Sequence, residues 1–266
     1  MSKKICSVNS NNKYTCFNVS SLKKIADKLN KDPRYAGYKN INVNKINKDT
    51  KKKAIKEIQK KLNCQKHLDF CVMEKEQEFI DEVKTAIKPK GPIDNNEWLS
   101  TLDIRAVMEQ YEKKYNGFNF IGPFPMDFEA IYDEIANLNL KRLCKEDKKI
   151  GIVFNTDVST GAGEHWISMF LDLQNRTLCF FDSVGDKPPQ PVWRLMKKIE
   201  KQSKDMKCPV KLIVNKKQFQ YDNASCGVWC LWHIISRLAG KSCSYLYNSN
   251  ATDKLMYSKR KEYFRK

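Results

Sequence analysis

The chain has 266 residues and a mass of 31.1 kDa, with 41% hydrophobic and 11% aromatic residues. That length holds one large domain or two modest ones, and that apolar content excludes a wholly disordered chain. Ten Gly and nine Pro exclude a collagenous or linker-like composition. Lys and Arg number 49 against 31 acidic residues, a net +18, which points to polyanionic surroundings: nucleic acid, an anionic membrane face or a virion interior.

The excess is uneven. Residues 1–90 hold 22 basic and 10 acidic residues, and this front third reads as helical and polar. Ser21 to Asn30 puts Leu22, Ile25, Ala26 and Leu29 on one face, and Thr50 to Asn63 does the same with Ile55, Ile58 and Leu62. A third helical stretch is predicted over about Glu74 to Ile87. Lys88-Pro89-Lys90-Gly91-Pro92 then breaks the pattern and marks a domain boundary. Beyond it, Trp98-Leu99-Ser100-Thr101 leads into a helix carrying Ile104, Val107, Met108 and Tyr111, and Pro125 to Leu140 is a second helix candidate. Ile150 to Phe154 reads as a strand. Trp166 to Leu173 and Thr177 to Phe181 read as two strands of a hairpin. A helix from Pro191 to about Lys204 and a strand over Val210 to Val214 follow. Ser225 to Leu238 is apolar on nearly all sides, which predicts a buried central helix stopped by Gly240. Asp253 caps a last helix. Helices on one side of a small, mostly antiparallel sheet make an α+β domain.

No apolar run approaches the ~20 residues of a membrane span. The start, Met1 to Cys6, has no apolar segment after its lysines, so no secretory signal is expected. The ten cysteines are therefore expected as reduced thiols, mostly small core residues. Only three histidines exist to activate one of them. His233 lies inside the buried helix and reads as a packing residue. Cys64, His67 and Cys71 fall one ligand short of a structural zinc site, so no metal is assigned.

His165 differs, because it stands at the start of a strand beside the flexible loop Gly161-Ala162-Gly163-Glu164. Antiparallel pairing would bring the end of the next strand, Asp182, beside it; taken alone, Asp182 is a turn residue before Ser183-Val184-Gly185. A carboxylate there fixes an imidazole's tautomer and stabilises its cation. Cys226 opens the buried helix, where free N–H groups favour a thiolate and can hold an oxyanion. Gly227 leaves space for an acyl group. Gln220, on a polar loop, offers an amide as a second oxyanion donor, although a Gln on a loop is most often only solvated.

His165-Trp166, Asp182-Ser183, Gln220 and Cys226-Gly227 occur in the order and spacing of the SUMO-specific and adenovirus-type cysteine proteases, which the chain resembles. Within that superfamily, Asn155-Thr156-Asp157-x-Ser159-Thr160-Gly161-x-Gly163-x-His165-Trp166 is similar to the corresponding stretch of the polyprotein proteases of African swine fever virus and related large DNA viruses. Asp182 departs from a viral relative that can carry an amide at that place. Val228 after Cys-Gly is a second departure.

The resemblance implies a papain-like α+β core over 91–266, with helices on a small mixed, mostly antiparallel sheet, and a basic helical arm domain over 1–90. It implies a thiol endopeptidase with Cys226 as nucleophile, His165 as base, Asp182 as orienting group and Gln220 as oxyanion donor. Trp98, Trp166 and Gly227 would line a narrow groove that receives Gly-Gly or Gly-Xaa sites of viral structural polyproteins during virion maturation. The chemistry needs no cofactor, with DNA or a peptide as a candidate activator, and the place of action is the host cytoplasm at viral assembly sites and the virion. Two alternatives remain open: a SUMO or ubiquitin-like deconjugating isopeptidase, and a basic nucleic-acid-binding scaffold with an inactive core.

Overall fold

The computed structural model describes residues 5–10, 12–143 and 148–266; Cys144 lies outside them. Two compact units emerge: residues 5–90 with Tyr263–Arg265, and residues 91–262. The last turn of the chain thus belongs to the first unit.

In the first unit, α1 (Val19–Lys31) starts at Asn18, whose side chain accepts from the Ser21 N–H, and buries Leu22, Ile25, Ala26 and Leu29. The helix α2 (Lys51–Lys61) buries Ala54, Ile55 and Ile58. The single helix predicted near 74–87 is instead divided. A short α3 (Leu68–Met73) comes first, then a 3-10 turn over Glu76–Glu78, then α4 (Ile80–Ala86). Phe79 makes the break: it leaves helical angles (φ −125°, ψ 31°) and buries its ring in the unit's core.

In the second unit, α5 (Thr101–Lys114) begins with a reciprocal Ser100–Asp103 capping box. The strand β1 (Phe118–Phe124) was not foreseen. The helix expected over 125–140 resolves into α6 (Phe128–Ile131), α7 (Asp133–Ala136) and the start of α8 (Leu140–Leu143). Then come β2 (Lys149–Asn155), β3 (Trp166–Asp172), β4 (Thr177–Phe181), α9 (Gln190–Asp205) and β5 (Lys211–Val214). The helices α10 (Cys226–Leu238), α11 (Cys243–Tyr247) and α12 (Asp253–Tyr263) finish the chain. The five strands lie in the order β1-β2-β3-β4-β5. The two inner pairings are antiparallel; β1 runs parallel to β2 and β5 parallel to β4.

Helices cover both faces of this sheet rather than one. Ile167, Met169 and Leu171 of β3 join Val192, Leu195, Met196 and Ile199 of α9 in one core. On the opposite face, Ser168 bonds His233 of α10, and Arg237 of α10 lies over Phe170. Burial on both sides is why β3 is apolar almost throughout instead of alternating. Gly240, at φ +87°, ends the reach of α10.

The expectation of reduced cysteines is corrected for six of them. Cys6–Cys16, Cys64–Cys71 and Cys179–Cys243 are paired as disulfides, leaving Cys208, Cys226 and Cys230 free among the described residues. The Cys64–Cys71 pairing removes the Cys64-His67-Cys71 ligand set. Among the described residues, no helix is long and apolar enough to cross a membrane.

Candidate active site

The antiparallel register of β3 and β4 brings the two polar ends of the hairpin together. Ser168 pairs with Phe181, so Asp182, just after β4, comes to the level of Ile167, two residues from His165 and within reach of its ring. The His165 Nε2 lies 2.8 Å from the Asp182 Oδ1. That same oxygen accepts the Val184 N–H at 2.9 Å, and the carboxylate is buried. The Cys226 thiol also acts on this ring, favouring its charged form together with Asp182. Burial works against a charged ring, but the bonds to Asp182 and Cys226 prevail, and the His165 pKa is raised to about 10.

Cys226 is the first residue of α10 and is buried. The preceding Ser225 makes no side-chain cap. Its hydroxyl is held by Asp222 Oδ2 at 2.5 Å, and Asp222 Oδ1 takes the Ala224 and Ser225 N–H groups. Ser225 is thereby turned away from capping the helix that Cys226 opens. Burial tends to raise the Asp222 carboxyl, but these bonds outweigh it and hold the pKa below the usual value. Asp253 anchors the same loop from behind. Its Oδ2 accepts the Tyr221 and Asp222 N–H groups, and its Oδ1 accepts the Trp229 indole. A thiol, an imidazole and a carboxylate in one line, with the thiol at a helix N-terminus, is the arrangement of a cysteine hydrolase.

Comparison with known proteins agrees. No protein-family model matches the chain. A putative thiol protease of Acanthamoeba polyphaga mimivirus is 30% identical over 94% of this chain and 89% of its own length. A cysteine protease of African swine fever virus is 32% identical over 69% of this chain and 74% of its own. The chain belongs to this family of viral cysteine proteases. A crystal structure of the African swine fever virus protease shares the fold, with a TM-score of 0.71 at 24% identity, covering 98% of this chain and 95% of that one.

The remaining predicted residues of the protease are placed less uniformly. Trp166 is buried, and its indole N–H donates to the Leu99 carbonyl at 2.9 Å. Trp98 is 46% exposed. Both line a cavity of about 480 Å³ with Phe124, Tyr132, Val158 and the 161–163 loop. Gly227 serves another purpose than the one expected: a Cβ there would come within 3.0–3.1 Å of the Leu99 side chain, so its smallness admits Leu99 rather than an acyl group. Gln220 is buried, with Oε1 accepting from the Ser183 hydroxyl at 2.6 Å and Nε2 donating to the Asp222 carbonyl at 2.8 Å. The amide is thus fixed in orientation, and Nε2 has a second, longer contact with the Asp222 Oδ1 at 3.4 Å.

The loop before His165 is braced, not loose. Asp157 Oδ2 accepts the Gly163 N–H, Asn155 Oδ1 accepts those of Asp157 and Glu164, and Asp127 holds Ser159 through both oxygens. A Cβ on Gly161 would fall on the Asp157 carboxylate, so only glycine fits there. From the sequence, Asn155 and Asp157 stood out only within the motif before His165 and Asp253 only as a helix cap, and Asp222 did not stand out. Their Asx-like spacing to the loops was the available signal. His233 is a core residue, bonded to Ser168 and Tyr247, and burial followed by the nearby Arg237 drives its pKa down to about 3. The Cys230 thiol is pushed up by burial.

Proposed function

We propose that the protease is an endopeptidase that cuts after Gly-Gly or Gly-Xaa sequences in viral structural polyproteins, with Cys226 as nucleophile, His165 as general base and acid, and Asp182 as orienting group. The observation that carries this reading is the 2.8 Å His165–Asp182 bond, on a ring whose charged form Cys226 also favours.

His165 Nε2 is committed to Asp182, so Nδ1 receives the Cys226 proton. The sulfur attacks the scissile carbonyl, and the C–O π pair moves to oxygen. The Cys226 N–H receives that oxyanion, and the Gln220 Nε2 joins it by exchanging its longer bond, 3.4 Å to Asp222 Oδ1, for the substrate oxygen. Collapse breaks the C–N bond, with the leaving amine taking the proton from His165. Water then attacks the thioester, giving its proton back through His165 and releasing the acid and the thiol. Trp98 and Trp166, facing one cavity, favour a slim substrate segment before the cut.

A second reading rests on a relative's name: proteins from African swine fever virus isolates, one of them 32% identical, are called SUMO-1 cysteine proteases. A deconjugating activity uses the same chemistry, so substrates must separate the two. Peptides containing Gly-Gly-Xaa and ubiquitin or SUMO fusions, followed by mass spectrometry, form the test. DNA is included as a candidate activator because of the +12 balance, 22 basic against 10 acidic residues, over 1–90. The expected result is peptide cleavage by the wild type and none by Cys226→Ala or His165→Ala, at nearly unchanged thermal unfolding. Wild-type rates in Cys226→Ala would overturn the assignment; cutting of fusions alone would favour deconjugation.

A further inference from the structure

The first unit contains a group of metal-ligating side chains that the protease chemistry does not use. The Cys6 and Cys16 sulfurs and a carboxylate oxygen of Asp69 all lie within 4.8 Å of one another. Asp69 is fully buried. Its Oδ1 is satisfied by the Thr15 hydroxyl and by the Cys16 N–H at 2.9 Å. Its Oδ2 is buried with no hydrogen-bond partner. The His67 Nδ1 stands 3.2 Å from that oxygen, a charge partner when protonated but outside hydrogen-bond geometry, on a partly exposed side chain. A buried carboxylate oxygen without a donor is costly unless a cation meets it. The nearest lysine does not fill the role, since the Lys51 ammonium is bonded to Asn12.

We propose that these residues form a redox-gated zinc site, with Cys6, Cys16 and Asp69 as ligands and His67 closing the tetrahedron. Two thiolates, a carboxylate oxygen and an imidazole are the donors a zinc-type cation takes, and four of them make a closed, structural site. The Cys6–Cys16 disulfide is the oxidised form of the pair. A dithiol reductant opens it: the dithiol becomes its own disulfide, and two electrons and two protons pass to the Cys6 and Cys16 sulfurs. Each thiol then releases its proton to solvent as it takes the ion, two protons per zinc. The site would tie the N-terminal segment of the unit to α3, whose first turn carries Asp69, and would do so in a reducing compartment where the disulfide is lost.

The test uses the full chain in the Cys226→Ala background, so that the catalytic thiol cannot bind the ion and the result is independent of the protease assignment. Protein reduced with dithiothreitol and freed of it by gel filtration is mixed with zinc sulfate, desalted and assayed for metal; cobalt replaces zinc for spectroscopy. One zinc per reduced chain is expected, none per oxidised chain, and cobalt should give a thiolate charge-transfer band with tetrahedral ligand-field absorption. Cys16→Ser should abolish stoichiometric binding, and Asp69→Asn and His67→Ala should each weaken it tenfold or more. Cys64→Ser, in the neighbouring pair, should leave it intact. A reduced chain that takes up no zinc overturns the proposal, without need of any variant. So does undiminished binding in Cys16→Ser, or binding that disappears only in Cys64→Ser.

Discussion

Removing the Asp182 carboxylate should move the titration of His165, and the shift can be read without knowing the substrate. In the folded chain the imidazolium is bonded to Asp182 and in contact with Cys226, against the cost of burial, and its pKa stands at about 10 rather than 6.5. The sign follows from linkage. A folded-state pKa above the unfolded value means that the pair contributes its full stability below pH 6.5. The contribution declines as pH rises and is gone above about pH 10. Each unit corresponds to about 1.4 kcal/mol, so the wild type should lose about 2–3 kcal/mol of unfolding free energy from this group between pH 7 and 9. The His165 side chain is 21% exposed, which places these figures at the upper end of what screening allows. With only three histidines in the chain, the ring carbon-bound protons can be resolved by NMR. The expected midpoint is near 10 in the wild type and lower by at least one unit in Asp182→Ala, with Asp182→Asn between them. Urea unfolding of Asp182→Ala at pH 7 and 9 should show a smaller pH dependence than the wild type. A wild-type midpoint near 6.5, or one that Asp182→Ala leaves in place, would refute the reasoning.

Three further outcomes follow from packing and pairing. Trp166→Phe keeps most of the ring but deprives the Leu99 carbonyl of its donor at 2.9 Å, and should cost about 1–3 kcal/mol in denaturant unfolding while raising KM more than it lowers kcat. Gly227→Ala forces a methyl against Leu99 at 3.0 Å; about 1–3 kcal/mol of destabilisation is expected, with weakened substrate capture because Leu99 adjoins Trp98. Asp172→Ala leaves the buried guanidinium of Arg237 without the carboxylate 3.6 Å away, and should cost about 3–5 kcal/mol in thermal or urea unfolding, whereas Asp172→Ala combined with Arg237→Met should recover much of the loss.

Much of this protein was legible in its residues. The hairpin period around Trp166 to Phe181 set the register that brings His165 to Asp182, because antiparallel strands of known length place one end beside the other. The uniformly apolar run after Cys226 could only be a helix buried on all sides, and its first residue is necessarily at the uncapped end. Local signals failed where long-range partners decide. Phe118 to Phe124 carries a glycine and a proline and became a strand only because β2 runs parallel beside it. The segment after Pro125 has helical spacing but divides into single turns around its buried side chains, Phe128, Ile135, Leu138 and Leu140. Gly227 shows the same limit at the site itself. Sequence placed it beside the nucleophile, but only the tertiary structure brought Leu99, 128 positions earlier, into the space its missing side chain leaves. Asp222 and Asp253 read as ordinary loop and cap residues, and their work in shaping the turn before Cys226 depends on chain segments that meet only in the folded state. Sequence by itself thus placed the thiol, the imidazole and the carboxylate at the ends of their elements, through periodicity and pairing rules that act over a few residues. Tertiary structure decided what braces them and which cysteines face one another, because those contacts depend on the packing of segments distant along the chain.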